Sequence, residues 1–324
     1  MFNGIKNISG VAVGHCSDFE AITGCTVIIF ENGAVGGVDI RGGATGTREF
    51  DSLSPLHIVD KVNAVCLSGG SAFGLDAACG VMEYLEDKGI GFDVGKTVVP
   101  IVPSAILFDL GIGDYKRRPD REMGYEACRN ARKNRIEEGS IGAGTGATVG
   151  KLFGVTRAMK GGVGIAVTEI KNGASIAALA VVNAFGDVYD EKRGIILAGC
   201  RNSRDGRSLI NTSLKMKSGF SRKSFYSGTT LGVVLTDIKF TKIQSQKVAQ
   251  MVQNSLAKVV SPVHTMFDGD IVFAFSCGEK NGDVNVTGLV ASELMAEAVK
   301  RGVTEARSLG GIPSYKDIFC GSNL

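Results

Sequence analysis

The stretch from Ser227 to Asp237 reads SGTTLGVVLTD and carries the strongest signal in the chain. A small polar loop ends at Gly228, and the hydroxyl residue Thr229 then opens an apolar run typical of a buried strand. Gly228 can adopt backbone conformations that are closed to other residues, which favours attack on its own peptide bond. Cleavage there would free Thr229 as a new N-terminus that carries nucleophile and base on one residue. The same pattern is also typical of a plain turn before a core strand.

The composition is typical of a globular protein that contains many tight turns. Hydrophobic residues make up 44% of the chain, and 45 of its 324 residues are glycine, about twice the usual share. Many of these glycines stand as GG or GxG between apolar segments, so we expect close approaches of the backbone around a site. No apolar run nears the roughly 20 residues that a membrane helix needs. The net charge of +3 comes from interspersed charges and predicts neither a nucleic acid nor a membrane as partner.

Cysteine usage and the first residues predict a cytoplasmic protein. The eight cysteines are scattered singly without a CxxC pair, which favours reduced, buried thiols over disulfides or a zinc site. The segment from Met1 to Lys6 also lacks the basic and then apolar layout of a secretion signal.

Apolar periodicity predicts strands and helices without a regular βαβ alternation, so we expect a layered α+β fold rather than a doubly wound parallel sheet. One helix is predicted over 241–260 with Thr241 as its cap, and another over 72–88 with Ser71 as its cap. We also expect a turn at Asn32-Gly33. The other predicted elements are strands at 25–30, 64–67, 163–170, 176–183, 231–236 and 271–276, an exposed helix over 116–140, a linker at 201–227 and a helix at 286–304.

Two glycine-rich motifs look like nucleotide-binding sites but lack the required context. The segment 142–147 (GAGTGA) has the spacing GxGxxA, yet no buried strand precedes it and no suitable acidic residue ends a second strand. A P-loop that ended in Gly150-Lys151 would need glycine where Thr145 stands and serine or threonine where Leu152 stands. What remains is Lys151 itself, which is either a functional cation on a glycine-rich backbone or a solvated surface lysine.

Polar side chains at the ends of predicted strands are candidates for chemistry. Asn183 ends the apolar strand 177–182, where its NH₂ group can stabilise an oxyanion or cap the turn. Asp268 and Asp270 flank a glycine, and they can hold an ammonium or orient a nucleophile, or form an ordinary Asp-Gly-Asp turn. We interpret His264, in the same loop, as a structural histidine.

Taken together, these segments resemble a family of self-cleaving N-terminal-nucleophile hydrolases that includes L-aminopeptidase/D-esterases, β-peptidyl aminopeptidases and nylon-oligomer hydrolases. The resemblance spans nearly the whole chain. It rests on collinear motifs at 41–49 (RGGATGTRE), 67–76 (LSGGSAFGLD), 99–103 (VPIVP), 108–110 (FDL), 144–151 (GTGATVGK), 183–188 (NAFGDV), 228–237 (GTTLGVVLTD) and 262–270 (PVHTMFDGD).

The resemblance implies a four-layer αββα sandwich, the fold shared by these hydrolases and by ornithine acetyltransferases. It implies one hydrolase domain, 1–324, that cleaves itself between Gly228 and Thr229. The products are an α-chain of 1–228 and a β-chain of 229–324, which stay associated. Assembly into a homotetramer or a larger homo-oligomer is implied as well.

The resemblance also assigns roles to individual residues. Thr229 takes the nucleophile position, and Lys151, Asn183, Asp268 and Asp270 match the positions that assist it in the nylon-hydrolase branch. Asn183 would donate to the oxyanion, while Asp268 and Asp270 would position the hydroxyl and the amine of the nucleophile. Lys151 would lower the proton affinity of the nucleophile or support the oxyanion. No metal and no organic cofactor is expected.

The activity implied is that of an aminopeptidase or amidase that hydrolyses N-terminal aminoacyl amide, peptide or ester bonds of small substrates. In the aminopeptidase branch of the family, an acidic group binds the substrate amine. The resemblance implies such a group here, and Glu122 and Glu126 are the candidates. Threonine with an aspartate pair favours the nylon-type amidases, which act on ω-amino-acid oligomers. An acyltransferase similar to ornithine acetyltransferases is another alternative, although their site reads Ala-Thr-Met-Leu where this chain has Gly228 to Leu231. A non-catalytic scaffold of the same fold is disfavoured because the chain has Thr229 and two nearby carboxylates.

Overall fold

Two packed sheets form the centre of the molecule, whose computed structural model describes residues 5, 7–134, 136–219 and 228–320. The principal strands are β1 (Val11–Asp18), β2 (Thr23–Ile40), β3 (Val62–Ser68), β4 (Ser104–Ile106), β5 (Val163–Glu169), β6 (Ser175–Asn183), β7 (Thr229–Ile238) and β8 (Ile271–Lys280). The α-helices of the described residues are α1 (Ala77–Asp87), α2 (Arg121–Arg129), α3 (Thr212–Lys217), α4 (Lys242–Val259), α5 (Val284–Thr304) and α6 (Tyr315–Phe319).

Shorter elements lie around the two sheets. The short strands are Thr47–Arg48, Phe92–Asp93, Val98–Val99, Thr148–Val149, Met159–Lys160, Asp187–Asp190, Ile195–Ala198, Cys200–Arg201, Leu209–Ile210 and Val260–Ser261. Single turns of 3-10 helix occur at Phe50–Leu53, Ser71–Asp76, Gly142–Gly144 and Val155–Arg157.

Strand β2 passes from one sheet to the other. Residues 25–29 pair antiparallel with β3, and residues 35–40 pair antiparallel with β8. The expected turn at Asn32-Gly33 is therefore wrong, because the chain stays extended there and only bends, with Gly33 at a φ of 68°. A glycine at this position takes up the bend without the steric penalty of a side chain.

The two sheets differ in strand order but meet at β2. The first has the order β1-β2-β3-β4, with the short strand Thr47–Arg48 paired to β4 at its edge, and the second has the order β5-β6-β7-β8-β2. Neighbouring strands are antiparallel except for β3 with β4 and β7 with β8, which run parallel. Strand β7 therefore lies between β6, which precedes residue 228, and β8, which follows it.

Three apolar layers hold the elements together. Along β7, Val233 and Leu235 face the first sheet, while Val234 faces the helices, as the period of two requires. The layer between the sheets includes Ile28, Phe30, Leu67, Leu231 and Phe273. The outer layers pack α1 and α2 on the first sheet and α4 and α5 on the second. The order helices, sheet, sheet, helices is the αββα sandwich and confirms the expected α+β fold.

Most predicted elements are confirmed, but two helices are not as expected. The segment 72–88 begins with a 3-10 turn at Ser71–Asp76 whose N-cap is Gly70, and Ser71 lies inside this turn with a φ of 56°. The Ser71 backbone N–H donates to the carbonyl of Leu107 at 3.0 Å. Among the described residues of 116–140 only α2 is helical, because the chain beyond its end at Arg129 turns to form a bridge between Arg132 and Val13. By contrast, Thr241 caps α4 in a capping box, as predicted.

The expected linker at 201–227 is ordered over its described part. Helix α3 is tied to the body of the protein by Asp187, whose carboxylate accepts hydrogen bonds at 2.7 Å from both the N–H and the hydroxyl of Thr212. The polar residues of this segment did not indicate the contact, because Asp187 lies 25 positions away from Thr212 in sequence. Residues 220–227, including Ser227, lie outside the described residues.

The structure also bears on the predictions about membrane-spanning helices and cysteines. No helix in the described ranges combines the length and the apolar character that a bilayer span needs. All eight cysteines are free thiols, and Cys25, Cys66, Cys128 and Cys200 are buried.

Candidate active site

The site forms where the ends of three central strands meet. Thr229 is the first residue of β7, and Asn183, the last residue of β6, is its direct partner in the antiparallel pair. Asp268 lies beside Gly228 in a parallel bridge, just before β8 begins. Because β7 and β8 run parallel, the residues that precede both strands lie at the same edge of the sheet.

Lys151 reaches the same place from the glycine-rich loop. Gly150, with a φ of 75°, packs tightly against Gly199, and the Lys151 N–H then donates to the Phe185 carbonyl at 3.0 Å. The Lys151 ammonium donates to the carbonyls of Asn183 and, at 3.3 Å, Ala184. Lys151, Asn183, Thr229, Asp268 and Asp270 are each at most 2% exposed. The interpretation of Lys151 as a solvated surface lysine is therefore wrong.

The peptide bond between Gly228 and Thr229 is held on both sides of its carbonyl. The Thr229 hydroxyl donates to the Gly228 carbonyl oxygen. The same oxygen accepts a hydrogen bond from the Gly269 N–H at 2.9 Å. Gly269 also lies against the hydroxyl, since a Cβ placed on it would be 3.0 Å from the Thr229 Oγ1. A hydroxyl group, the carbonyl of the preceding residue and a backbone N–H donor are thus in contact.

The two aspartates are fixed by hydrogen bonds from their own loop and from β7. Asp268 accepts from the Phe185 N–H at 3.0 Å and from the Thr265 hydroxyl at 2.6 Å. Asp270 accepts from the Thr230 N–H at 2.7 Å, and from both the backbone N–H and the Nδ1 of His264 at 3.0 Å. These contacts make the Asp-Gly-Asp segment part of the site rather than an ordinary surface turn.

Burial and nearby charges shift the pKa of Asp268. Burial raises the pKa of Asp268 to about 6, and the negative charge of Asp270 adds to the rise. The hydrogen bonds from Thr265 and Phe185 and the positive charge of Lys151 oppose it. A carboxyl group with such a pKa can accept a proton near neutral pH.

The Asn183 amide is oriented by two backbone groups. Its Oδ1 accepts from the Thr148 N–H at 2.9 Å, and its Nδ2 donates to the Phe108 carbonyl at 3.0 Å. An amide nitrogen carries two protons, so this arrangement fixes the direction of the second N–H. Its side chain therefore does more than cap the turn after β6.

Comparison with known protein families matches residues 3–315 to Peptidase family S58. The chain belongs to this family. It is 38% identical to an uncharacterized aminopeptidase of Mycobacterium leprae, a match that covers 99% of this chain and 95% of the relative. It is 29% identical to a 6-aminohexanoate-oligomer endohydrolase of Kocuria sp., over 90% of this chain and 83% of the relative.

Solved structures show the same fold as this S58 peptidase. The L-aminopeptidase D-Ala-esterase/amidase of Ochrobactrum anthropi superposes with a TM-score of 0.71 at 18% identity, covering 96% of this chain and 88% of the other. A β-aminopeptidase of Burkholderia sp. superposes with a TM-score of 0.69 at 18% identity, covering 100% and 95%. The fold is thus the variant of the N-terminal-nucleophile hydrolase fold that was expected. Family membership makes the chain a hydrolase with aminopeptidase or amidase activity, also as expected.

The loop Arg41 to Ala44 of this S58 peptidase braces the aspartate segment. The N–H groups of Arg41 and Gly42 donate to the Asp270 carbonyl at 3.1 and 3.3 Å, and the Ala44 N–H donates to the Asp268 carbonyl at 2.8 Å. A Cβ on Gly42 would lie 2.3 Å from the Asp268 carbonyl oxygen. Only glycine permits this approach, which gives the motif at 41–49 a structural reason.

Sequence reasoning missed Gly269 and Thr265, and the interpretation of His264 as a structural histidine stays a prediction. His264 has a φ of 55°, and a non-glycine residue in that region is uncommon and often marks a functional segment. Its contact with Asp270 was not foreseen because the spacing of six residues is not that of a regular element. The only local signal for Thr265 was a hydroxyl three residues before Asp268, the spacing of a side-chain turn.

Glu122 and Glu126 lie apart from the buried cluster. Both are on α2, and Glu126 pairs with Arg129 at 2.8 Å. They line a surface cleft of about 510 Å³ together with Asp76, Glu83, Asp120, Arg121 and Tyr125. Their role towards a substrate amine stays a prediction. Within the described ranges, no three His, Cys, Asp or Glu side chains are grouped as a metal site requires.

Proposed function

We propose that this chain cuts itself between Gly228 and Thr229, and that Thr229 then acts as the N-terminal nucleophile of an aminopeptidase or amidase. The observation that carries the proposal is the contact of the Thr229 hydroxyl with the Gly228 carbonyl, which also accepts the Gly269 N–H at 2.9 Å. Lys151, Asn183, Asp268 and Asp270 are proposed to assist, because all four are buried at the same sheet edge.

In the precursor, the Thr229 Oγ attacks the carbonyl carbon of Gly228. The nitrogen of Thr229 is still an amide and cannot take the proton, so we assign that role to the Asp268 carboxylate, whose Oδ1 would be 2.3 Å from a Cβ on Gly228. The Gly269 N–H stabilises the oxyanion. The C–N bond then breaks as the nitrogen gains a proton, which frees the Thr229 amine, and water hydrolyses the resulting ester to release the Thr229 hydroxyl and the Gly228 carboxylate.

In the mature enzyme, the freed amine of Thr229 accepts the proton of its own hydroxyl as Oγ attacks a substrate carbonyl. The second N–H of Asn183 donates to the oxyanion, an interaction worth about 3 kcal/mol in acyl transfer. Lys151 lowers the pKa of the amine and keeps more of it as free base. Asp270 holds the start of β7 through the Thr230 N–H at 2.7 Å.

The two chains are proposed to remain one folded body after cleavage. Strand β7, on the C-terminal side of the cut, pairs along Thr229 to Thr236 with β6, on the N-terminal side. Separation would break this ladder and expose the apolar layer between the sheets.

A cytoplasmic location and a homotetramer or larger assembly stay proposals. Leu56 and Ile58, which are 96% and 85% exposed, are consistent with a contact between copies.

Two classes of substrate fit the proposed activity. An N-terminal aminoacyl amide, peptide or ester is favoured by the aminopeptidase relative at 38% identity. An ω-amino-acid oligomer is favoured by the 6-aminohexanoate-oligomer endohydrolase at 29% identity and by the buried Asp268/Asp270 pair. Both classes present an amide or ester carbonyl whose acyl group is an amino acid.

Intact-mass spectrometry of the purified protein tests the proposal. We expect two fragments, 1–228 and 229–324, with an N-terminal sequence of Thr-Thr-Leu-Gly for the second. A panel of alanine p-nitroanilide, dipeptides and the 6-aminohexanoate trimer then ranks the substrate classes, and added amines test acyl transfer. An enzyme that is active as one intact chain would contradict the proposal.

The rate of self-cleavage should depend on the ionisation of Asp268. Burial raises the pKa of this carboxyl from 3.8 to about 6, so the group is ionised, and able to accept a proton, only above that pH. We expect cleavage to slow about tenfold for each pH unit well below 6 and to level off above 7.

The folding contribution of Asp268 has the opposite sign. Because the folded chain keeps the proton up to a higher pH than the unfolded chain, the free energy of unfolding falls as pH rises from about 4 to 6.

A stopped pH series on freshly refolded precursor, read by gel, measures the cleavage rate and its decrease at acidic pH. Asp268→Asn should remove this acidic limb, and a variant that keeps it would contradict the assignment.

A further inference from the structure

Two buried charged side chains next to the proposed catalytic cluster have no role in the mechanism above. Lys160 is 0% exposed and Asp109 is 5% exposed. Placing a charged group in the interior is unfavourable unless hydrogen bonds and an opposite charge compensate. Both side chains contact the loop 145–147, which immediately precedes Thr148.

Lys160 holds the backbone that carries Thr148. Its ammonium donates to the carbonyls of Thr145 and Ala147, each at 2.7 Å. Lys160 is also the direct strand partner of Thr148 in the short antiparallel pair. The position of the Thr148 N–H, and hence of the bond that it donates to the Asn183 Oδ1 at 2.9 Å, depends on these contacts.

Asp109 holds the second segment that orients Asn183. Its carboxylate accepts from the Gly70 N–H at 2.7 Å and from the Thr23 hydroxyl at 2.8 Å. The preceding residue, Phe108, supplies the carbonyl that accepts from the Asn183 Nδ2 at 3.0 Å. Gly146 lies against this carboxylate, since a Cβ there would be 2.5 Å from the Asp109 Oδ2.

We infer that Lys160 and Asp109 are positioning residues that set the direction of the Asn183 amide from its two sides. Lys160 acts through Thr148 and the Asn183 oxygen, and Asp109 acts through Phe108 and the Asn183 nitrogen. With both bonds in place, the remaining N–H of Asn183 has one direction and is aimed before substrate binds. The inference rests on the proposed function, in which Asn183 is the oxyanion donor.

The charges of the pair support this arrangement. Burial lowers the pKa of Lys160 to about 7, while the negative charge of Asp109 raises it. Burial raises the pKa of Asp109, and the hydrogen bonds from Gly70 and Thr23 and the charge of Lys160 lower it. Each group thus favours the charged form of the other, so loss of one weakens both clamps.

The inference separates substrate turnover from self-cleavage. The oxyanion donor proposed for self-cleavage is the Gly269 N–H, whereas Asn183 is proposed to serve the substrate. Lys160→Met should therefore lower kcat about 10- to 100-fold, the usual scale for loss of a residue behind an active-site group. KM should stay within twofold, and the half-time of self-cleavage within threefold. The probe is alanine p-nitroanilide or the 6-aminohexanoate trimer, whichever the wild type cleaves faster.

Lys242 offers a matched control. It is also a buried lysine, and its ammonium donates to the carbonyls of Ser52, Ser54 and Val59 at 2.6 to 3.0 Å. It follows the other end of β7, and a ten-residue strand is roughly 30 Å long. Lys242→Met should lower the melting temperature but leave kcat within twofold.

A double-mutant cycle with Asn183→Ala decides between a positioning role and a structural one. In the Asn183→Ala background, Lys160→Met should change kcat by less than twofold, because the group that it orients is gone. If Lys160→Met does not fold, Asp109→Asn, which keeps the side-chain shape, takes its place in the cycle. The inference is overturned if the two losses multiply, if kcat stays within twofold of the wild type, or if Lys160→Met also abolishes self-cleavage. Absence of self-cleavage in the wild type would instead defeat the proposed function.

Discussion

The variant Thr229→Ala is expected to remain one uncut polypeptide and to lose hydrolytic activity by about 10⁴-fold or more, the scale seen when a nucleophile is removed. The hydroxyl that contacts the Gly228 carbonyl is the group proposed to attack both in self-cleavage and in turnover. Its loss therefore blocks the first reaction and, with it, the release of the amine that the second reaction needs. Denaturing gels and intact mass measure the cut, and the substrate panel measures turnover.

The neighbouring hydroxyl gives a matched control for this loss. Thr230 is buried, and its hydroxyl has no hydrogen-bond partner among the described residues. Thr230→Val keeps the volume and the backbone N–H that binds Asp270, so it should still cleave and turn over substrate. Thr229→Ser retains a hydroxyl and should cleave, though at a different rate. Two fragments from Thr229→Ala would show that another bond or another nucleophile is used.

The variant Lys151→Met is expected to slow self-cleavage roughly 10²- to 10³-fold, as for other preorganised charges in acyl transfer. It removes the positive charge that lowers the pKa of Asp268, so this pKa should rise above 6 and less carboxylate should be present at neutral pH. It also removes the hydrogen bonds to the carbonyls of Asn183 and Ala184. We expect the melting temperature to fall, since breaking up a buried set of charges is destabilising.

The pH dependence separates lost charge from lost structure. In Lys151→Met, the acidic limb of the cleavage rate should move to higher pH, so part of the rate should return between pH 7 and 9. The wild type should already be at its plateau there. Circular dichroism at each pH establishes that the variant is folded. A slow variant whose midpoint stays near that of the wild type would contradict the role given to the lysine charge.

Local patterns account for the elements that were predicted well. Helix α4 follows from its apolar periodicity and from Thr241 with Gln244 as a capping box, all within one stretch of chain. Strand β7 follows from an apolar run after glycine in the same way. The interpretation of 116–140 as one exposed helix was wrong because the end of α2 depends on Val13, which pairs with Arg132 from far away in sequence.

The residues of the candidate site also differ in whether local sequence predicts their placement. Thr229, Asn183, Asp268 and Asp270 could be nominated because each lies at the end of a predicted strand or in a short motif. Lys151 could be nominated too, but the sequence left it open whether the side chain was buried or solvated. The side chain is buried because the backbone of Gly150 packs against Gly199. This contact joins residues 49 positions apart, so no short window of sequence contains it.

By itself, the sequence determined the layered fold, the family and the threonine that opens β7, because strand periodicity, glycine spacing and motif order are properties of neighbouring residues. Only the tertiary structure decided which groups surround that threonine. Gly269 reaches the Gly228 carbonyl, and Thr148 and Phe108 hold the two ends of the Asn183 amide. These contacts join parts of the chain that are distant in sequence, and they exist only because strand pairing brings the ends of β6, β7 and β8 to one edge of the second sheet.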